Sequence, residues 1–432
     1  MKKTGFIALL LGLMGVLPML AQIRGTNINV MVVPDHQDWN YEVGQTAQFK
    51  VSVTKSSTLL DNVTIDYEAG PEMYPNKKEQ GVVLKNGTMT WKGTMAKPGF
   101  YRLTVTAHVD GKDYKGSCTA AFSPEKLKPT TVEPKDFDQF WEKTLEEARW
   151  TVLNPQRELL PERSNEEVNV YQISFQNMRW GSRTYGILSI PTKPGRYPAL
   201  LRVPGAGVRP YSGDTYTAPS QAIVLEIGIH GVPVTMDQSV YDELQNGALN
   251  CYWNFGMDSP DNSYYKRVVV GCVRSVDYIA SLPEWDGKTI GVTGASQGGF
   301  LSYATAALDK RITFVAAVHP ALCDHTASLQ GIACGWPHYF YNSSEKQTGR
   351  GEKIETSRYY DGVNFVRRIQ CPTWVSFGYN DDVVPPTTAY ATYNTLSCPK
   401  TLSVYQQTAH FWYQEQWDEW QKWLRQQLGI KN

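Results

Sequence analysis

The 432-residue chain has a composition typical of a folded, globular protein. Apolar residues make up 41% of it and aromatic residues 12%, which is enough for the cores of two or three domains. The 42 lysines and arginines equal the 42 aspartates and glutamates in number, so the formal net charge is zero. A chain without a basic field is not expected to bind nucleic acid or an anionic membrane surface.

The first 21 residues predict a secretory signal peptide. Lys2 and Lys3 precede an apolar run at 6–16, and Ala21 supplies the small residue at the cleavage site. The apolar run is short for a helix that spans a bilayer, so we expect export to the periplasm or the cell exterior without stable membrane insertion. A membrane anchor is the alternative interpretation.

Residues 22–123 predict an immunoglobulin-like β-sandwich domain. Apolar and polar residues alternate in several short runs, at 47–53, 63–67 and 103–109. Asn86-Gly87 and Asp110-Gly111 lie between such runs and predict hairpin turns. We interpret this domain as a spacer or accessory face, with a sugar-binding module as the alternative.

Residues 124–432 predict a catalytic domain in which strands alternate with helices, which favours a mostly parallel α/β sheet. Strand signals occur at 168–175, 183–190, 199–203, 222–229, 290–293, 314–318 and 373–378. A helix is predicted at 264–282. The last helix has Trp417, Trp420, Trp423, Leu424 and Leu428 on one side, which we interpret as its core-facing stripe.

The stretch Gly294-Ala-Ser-Gln-Gly298 lies between a predicted buried strand and a predicted helix. A serine on so sharp a turn requires small neighbours, because a Cβ on either side would collide with the strand or the helix. Gly294, Ser296 and Gly298 therefore predict a nucleophile elbow, with Ser296 as the nucleophile.

A serine nucleophile needs an imidazole base, and the imidazole needs a carboxylate that orients it. In folds with this elbow the order along the chain is serine, acid, histidine. Asp381 follows the predicted strand at 373–378 and is our candidate acid, with Asp382 as the alternative. Of the seven histidines, His410 is the one that lies beyond this loop, so it is the candidate base.

The tetrahedral intermediate of acyl transfer also requires two backbone N–H donors. We expect one from Gln297, directly after the nucleophile, and the other from Ala206 in the small-residue loop after the strand at 199–203. The seven cysteines include no Cys-x-x-Cys pair, so no zinc site is expected, and neither is any other metal or organic cofactor. A disulfide between Cys371 and Cys398 is compatible with an exported protein.

Taken together, these residues resemble the acetyl xylan esterase and cephalosporin-C deacetylase family of α/β-hydrolases over residues 134–413. The resemblance rests on several stretches, at 137–145, 264–268, 273–276, 294–299, 320–323 and 381–386. It implies removal of acetyl groups from small acetylated sugars. In this family Ser296, Asp381 and His410 would form the triad, and Ala206 and Gln297 the oxyanion hole.

Two positions depart from the family pattern. Ile229-His230-Gly231 stands where the family usually has Arg-Gly-Gln, and Phe411 stands where a glutamate usually follows the catalytic histidine. These changes alter the walls of the pocket, and they make His230 a possible substrate-binding residue.

The sequence as a whole predicts a secreted serine carboxylesterase that removes acetyl groups from xylan-type carbohydrate through an acyl-enzyme. Two alternatives have different activities: a serine peptidase of the prolyl-oligopeptidase type, and a catalytically inactive carbohydrate-binding relative. No oligomeric state is inferred.

Overall fold

The computed structural model describes residues 26–341 and 349–430. The predicted signal peptide, residues 1–21, lies outside this range. The described chain forms two sheets in its N-terminal part and one large sheet flanked by helices in the remainder. None of the helices in these two ranges combines the length and apolar character that would be needed to cross a bilayer.

The N-terminal sandwich (residues 28–122) has two sheets that enclose one hydrophobic core. In chain order its described strands are β1 (Ile28–Pro34), β2 (Asn40–Tyr41), β3 (Ala47–Lys55), β4 (Thr58–Leu59), β5 (Val63–Pro71), β6 (Lys77–Leu84), β7 (Thr88–Gly93), β8 (Gly99–Val109) and β9 (Lys112–Phe122). In one sheet β3 pairs with β1, β4 and β7, and the other sheet has the order β2-β9-β8-β5-β6. Val51 and Val53 of the first sheet share a buried cluster with Ile65 and Leu103 of the second. The predicted β-rich N-terminal region is present, and its immunoglobulin-like character stays a prediction.

One of the two predicted hairpins in this sandwich is present. Asp110 and Gly111 both have positive φ angles, 52° and 72°, and join β8 to β9 in a two-residue turn. The prediction for Asn86-Gly87 was wrong, because β6 pairs with β5 whereas β7 pairs with β3. That turn carries the chain from one sheet to the other.

The hydrolase region (residues 124–430) is built on a nine-stranded sheet. Its strands are β10 (Gln156–Leu159), β11 (Val168–Gln176), β12 (Arg183–Pro191), β13 (Tyr197–Arg202), β14 (Ile223–Gly228), β15 (Trp285–Ala295), β16 (Phe314–Val318), β17 (Thr373–Phe377) and β18 (Lys400–Val404). The spatial order is β10-β11-β12-β14-β13-β15-β16-β17-β18. In this spatial order, parallel pairing joins the last six strands, β14, β13, β15, β16, β17 and β18. Their carboxyl ends therefore meet at one edge of the sheet. This confirms the mostly parallel sheet, and β10 is a strand that the sequence analysis did not predict.

Helices cover both faces of this sheet. They are α1 (Phe137–Arg149), α2 (Gln238–Asn246), α3 (Tyr264–Ala280), α4 (Gln297–Leu308), α5 (Arg350–Tyr359), α6 (Gly362–Val366), α7 (Pro386–Thr395) and α8 (Gln414–Leu428). On one face α8 buries Trp420, Leu424 and Leu428 against a cluster that includes Phe314 and Trp374, which confirms its predicted core-facing stripe. The opposite face is covered by α3 and α4.

One end of the N-terminal sandwich is packed into the hydrolase region. Phe100 and Ala121 belong to β8 and β9, yet both are fully buried in the main hydrophobic cluster of the hydrolase region. The Phe100 ring meets the Tyr379 ring edge-on, with 5.0 Å between centroids. The connecting segment is also fixed, because the Thr130 and Thr131 N–H groups donate to the buried Asp324 carboxylate. The two regions therefore share packed side chains as well as a covalent link.

The cysteines form no disulfides. All seven lie within the described ranges and are free thiols, so the bridge considered between Cys371 and Cys398 is not formed. Cys118, Cys272, Cys323 and Cys334 are buried. These four behave as small apolar core residues.

Candidate active site

Ser296 lies at the turn between β15 and α4 with φ 59° and ψ −124°. A positive φ is rare for a residue with a side chain and is held only where the surroundings enforce it. Here the Ser296 N–H donates to the Val318 carbonyl at 2.8 Å, and the Ser296 carbonyl accepts from the Ala321 N–H at 3.0 Å. The strained backbone of this turn is that of a nucleophile elbow.

The glycines around Ser296 are required by close backbone contacts. A Cβ on Gly294 would lie 2.5 Å from the Val203 carbonyl oxygen, and a Cβ on Gly298 would lie 2.4 Å from the same atom. A Cβ on Gly299 would lie 2.7 Å from Cα of Pro320. The predicted steric reason for glycines at 294 and 298 is therefore present in the structure.

Asp381 and His410 are in direct contact. The Nδ1–H of His410 donates to Oδ2 of Asp381 at 2.7 Å, while Oδ1 of Asp381 accepts from the Val383 and Val384 N–H groups at 2.9 and 2.8 Å. Asp381 is fully buried, whereas the neighbouring Asp382 is exposed. The structure thus brings the predicted acid and base together.

His319 is a second histidine at this carboxylate that the sequence analysis missed. It follows β16, is buried, and has its Nδ1 atom 3.2 Å from Oδ2 of Asp381, although the two atoms are not aligned for a hydrogen bond. Burial alone would raise the pKa of the Asp381 carboxyl, but the contacts with His319 and His410 lower that pKa below its ordinary value. Asp381 is therefore an anion near neutral pH.

His319, Asp381 and His410 are also spaced closely enough to hold a metal ion, and they are the one such group among the residues that the structure describes. The possible ligand atoms of His319, Asp381 and His410 all lie within 4.8 Å of one another. Contacts between an anionic carboxylate and two imidazoles account for this spacing.

These contacts place Ser296 and the acid–base pair at the same edge of the sheet. Val318, whose carbonyl accepts from Ser296, directly precedes His319, which in turn lies against Asp381. The His319 and His410 rings are 5.2 Å apart between centroids. Ser296, Asp381 and His410 follow β15, β17 and β18, and His319 follows β16, so four strands of the parallel sheet deliver these side chains at their carboxyl ends.

The side chain of Gln297 connects the elbow to the loop that holds Ala206. It is fully buried, and its Oε1 accepts from the Tyr252 and Tyr265 hydroxyls at 2.7 and 2.8 Å. Its Nε2 donates to the Pro204 carbonyl at 3.2 Å. Since both tyrosine hydroxyls donate to the same oxygen, the orientation of the Gln297 amide is fixed.

The loop of residues 204–208, here called the oxyanion loop, is held from its outer side as well. Arg209 donates to the Ala206 carbonyl at 2.9 Å, and the Val208 N–H donates to Oε1 of Gln245 at 3.0 Å. With both carbonyls and N–H groups restrained, the loop has little freedom to rotate its peptide planes. The N–H groups of Ala206 and Gln297 donate to no acceptor within 26–341 and 349–430.

His230 lies beneath this loop with both ring nitrogens engaged by the protein. Its Nε2–H donates to the Gly207 carbonyl at 3.0 Å, which leaves Nδ1 to accept from the Tyr264 hydroxyl at 2.7 Å. Burial lowers the pKa of His230 to about 4, so the ring is neutral near pH 7. Contact between His230 and substrate stays a prediction, and what the structure shows directly is support of the oxyanion loop.

A cleft of about 390 Å³ opens beside the elbow. Gly205 and Ala295 line it on the serine side, and Trp412 and Trp417 line it on the side of α8. The Trp412 ring is 6.4 Å from the His319 ring between centroids. Polar side chains, among them Arg202 and Glu226, line another part of the cleft, whereas Ser296 and His410 do not line it.

Comparison with known proteins agrees with this geometry. The family model described as "Acetyl xylan esterase (AXE1)" matches residues 124–427, well over half of the chain. The chain belongs to the acetyl xylan esterase family. This esterase is therefore a carboxylic ester hydrolase of the α/β-hydrolase fold, and the peptidase alternative is set aside.

Its relatives cover different parts of the chain. Acetyl esterase Axe7A of Xylanibacter ruminicola is 40% identical over 404 residues, which cover 92% of this chain and 90% of that protein. The acetyl xylan esterase from Paenibacillus sp. R4 has 27% identity and a TM-score of 0.62, with 70% of this chain and 98% of that one covered. Acetyl Xylan Esterase 1 from Thermoanaerobacterium sp. JW/SL YS485 has 25% identity and a TM-score of 0.60, with coverage of 70% and 97%.

The coverage shows where the N-terminal sandwich is shared. A stretch of 92% of the chain cannot fit after residue 123, so the alignment with Axe7A includes most of the sandwich. The two solved structures are matched almost from end to end by about 70% of this esterase, and the family model begins at residue 124. The N-terminal sandwich is thus additional to the part of the fold that the family model describes.

Proposed function

We propose that this esterase is an exported serine enzyme that removes acetyl groups from xylan-type oligosaccharides through an acyl-enzyme. The observation that carries the proposal is the 2.7 Å bond from Nδ1 of His410 to the buried Asp381 carboxylate, next to a serine in the strained elbow conformation. Because Nδ1 carries the proton that binds Asp381, Nε2 of His410 is left with a free lone pair and can act as a base.

In the first half of the reaction, Nε2 of His410 removes the proton of the Ser296 hydroxyl as Oγ attacks the acetyl carbonyl carbon. The imidazolium that forms is stabilised by the anionic Asp381. The same proton is then transferred to the sugar oxygen as the ester bond breaks, which leaves Ser296 acetylated. Water, deprotonated by His410, then attacks the acetyl carbon, and His410 returns the proton to Oγ of Ser296 as acetate leaves.

The negative charge of each tetrahedral intermediate requires donors that are already in place. We assign this role to the N–H groups of Gln297 and Ala206. Gln297 is the first residue of α4, so its N–H also lies at the positive end of a helix dipole. The Gln297 side chain keeps the second donor in position through its bond to the oxyanion loop.

A neutral sugar ester suits the cleft beside the elbow. Trp412 and Trp417 present aromatic surface, and polar groups near Arg202 provide hydrogen-bond partners. Aromatic walls with a few oriented polar groups are typical of sites that bind small ligands. Together with the match to the acetyl xylan esterase family model, this makes xylan-derived acetyl esters the proposed substrates.

We further propose that residues 1–21 are a signal peptide, that 22–123 form the sandwich domain and that 124–432 form the catalytic domain. Export of the full chain followed by mass spectrometry of its N-terminus tests the first point. We expect a mature chain that begins at Gln22, and an intact N-terminus after export would contradict it.

The test of the catalytic proposal is acetate release by the purified protein from acetylated xylo-oligosaccharides and from a small chromogenic acetate ester. We expect the wild type to act on both, and Ser296→Ala to lose about 10⁵- to 10⁶-fold in kcat because the nucleophile is absent. Ser281→Ala, the same change at an exposed serine after α3, should retain full activity.

Each outcome of this test is informative. Turnover of the chromogenic ester alone would keep the serine mechanism and remove xylan as the substrate. No turnover on either ester, together with binding of xylo-oligosaccharides, would identify an inactive carbohydrate-binding relative. Turnover that survives in Ser296→Ala would contradict the assigned nucleophile.

A further inference from the structure

The loop that carries Asp381 is bound by the N-terminal sandwich at three successive residues. The Tyr379 hydroxyl donates to Oδ1 of Asn40 at 2.9 Å, and Nδ2 of Asn380 donates to the Ser117 carbonyl at 3.3 Å. The carbonyl of Asp381 itself accepts from Nη2 of Arg102 at 2.9 Å. These contacts join residues that are more than 250 positions apart in the sequence.

Arg102 makes the central contact. It lies on β8, where its Nε donates to the Thr119 hydroxyl on the adjacent strand at 2.8 Å. Its Nη2 donates to the carbonyls of Tyr379 and Asp381 at 3.2 and 2.9 Å. Across residues 26–341 and 349–430, no other group donates to either of these two carbonyls.

Glu72 completes the arrangement at the end of β5. Its Oε1 accepts from Nη2 of Arg102 at 2.8 Å, and its Oε2 accepts from the Thr387 hydroxyl in α7 at 2.8 Å. The Glu72 side chain is 1% exposed and that of Arg102 15% exposed. When Glu72 is ionised, a salt bridge with so little solvent holds its partners in a single geometry, because neither charge can move away without losing compensation.

The loop of residues 379–381, here called the acid loop, also determines where His410 lies. The Tyr379 N–H donates to the Gln406 carbonyl at 3.1 Å, and the Asn380 N–H donates to the Thr408 carbonyl at 3.2 Å. Thr408 is two residues before His410. A shift of the acid loop would therefore displace both the carboxylate and the segment that leads to the base.

We propose that Arg102, held by its salt bridge with Glu72, is a positioning residue for catalysis that acts from the N-terminal sandwich by fixing the backbone of Asp381. The inference rests on the proposed roles of Asp381 and His410. It assigns the sandwich a function in the chemical step itself, in place of the spacer role that its sequence suggested. Arg102 touches no reacting atom.

The test compares kcat and KM for the chromogenic acetate in the full-length protein. Arg102→Ala alone would leave the Glu72 carboxylate buried without a partner, so we choose the double variant Arg102→Met/Glu72→Met, which removes both charges. We expect kcat to fall about 10- to 100-fold with KM changed less than about twofold, since a displacement of about 1 Å at a catalytic group has an effect of this size. Circular dichroism and thermal melting verify that the variant is folded.

Two further variants separate positioning from general structural effects. Tyr74→Phe removes a different bond between the two regions, from the Tyr74 hydroxyl to the Ser328 carbonyl at 3.4 Å, and should leave kcat unchanged. Arg102→Lys keeps the charge beside Glu72 but lacks the Nε–H that donates to Thr119 and holds the guanidinium in place, so kcat should fall by a smaller factor. If the double variant does not fold, Arg102→Lys decides the question by the same comparison.

The outcomes distinguish this inference from the proposed function. A wild type without Ser296-dependent turnover would overturn the proposed function before any Arg102 variant is measured. An active wild type and a folded Arg102 variant with unchanged kcat would overturn the inference alone. An equal loss in Tyr74→Phe would also overturn it, because the effect would then belong to the interface in general.

Discussion

The two sides of the active site are held by different parts of the chain. On the serine side, Ser296 and the oxyanion loop are restrained by Gln297, Tyr252 and Tyr265, all within the hydrolase region. On the acid side, the backbone of Asp381 is restrained by Arg102 of the N-terminal sandwich. The contacts on the serine side thus lie within the part of the chain that the family model matches, whereas the acid side also receives contacts from the N-terminal sandwich.

After loss of the nucleophile, the largest expected effect comes from the acid itself. Asp381→Asn retains the size of the side chain but offers His410 an amide, which does not stabilise the imidazolium, so kcat should fall about 10⁴-fold. Asp382→Asn is the matched control, because Asp382 is adjacent but exposed and should be dispensable. Equal losses in the two variants, measured on the chromogenic acetate, would show that the acid side is misassigned.

A change on the serine side should have an intermediate effect. Gln297→Glu keeps an acceptor for the two tyrosine hydroxyls but replaces the donor to Pro204 with a carboxylate oxygen, which repels that carbonyl. We expect kcat to fall about 10- to 100-fold, because the oxyanion loop loses its inner anchor.

Gln245→Glu is the control for this change. Gln245 also binds the oxyanion loop, but it accepts from the Val208 N–H, and a glutamate still can. Its kcat should stay within about twofold of the wild type, since no donor is lost. A loss in Gln245→Glu equal to that in Gln297→Glu would mean that charge near the loop, and not the lost donor, sets the rate.

The smallest expected effect concerns how stability depends on pH, and the two sides should respond in opposite directions. Burial lowers the pKa of His230 to about 4, so between this value and its ordinary value of about 6.5 only the unfolded chain binds the proton, and the free energy of unfolding rises with pH. Burial raises the pKa of Glu72 from 4.5 to about 7, against the pull of Arg102. Between those values only the folded chain binds the proton, so this contribution falls as pH rises.

Urea denaturation at about pH 5 and about pH 7 measures both contributions. His230→Phe should reduce the gain in stability on going from the lower to the higher pH, and Glu72→Gln should increase it. A change of slope in the same direction for both variants would contradict the assigned protonation states.

The serine side could be predicted from sequence because its geometry is encoded locally. Gly294, Ser296 and Gly298 lie within five residues, and each glycine is required because a Cβ there would collide with neighbouring backbone atoms. Asp381 and His410 required one more step, namely that parallel strands bring their carboxyl ends to one edge. Asp381 and His410 are in contact, as this strand order predicts.

The supports of the site could not be predicted in the same way. Tyr252 and Tyr265 appear in the sequence as ordinary core aromatics, and nothing local distinguishes their hydroxyls as partners of Gln297. Arg102 looks like an outward-facing residue of an alternating strand, and its partner carbonyl is 279 positions away. The hairpin prediction for Asn86-Gly87 was wrong for a related reason. A turn motif in the sequence does not show which strands the two flanking segments pair with.

The burial of Phe100 within the hydrolase core has a thermodynamic consequence. Phe100 belongs to the sandwich but is buried by side chains of the hydrolase region, so unfolding of either region removes packing contacts from the other. The two regions should therefore unfold in a single cooperative transition. Calorimetry of the intact chain would then give one heat-absorption peak. A chain shortened to begin at residue 124 would expose the aromatic rings of Tyr379 and Tyr390, against which Phe100 packs, to water.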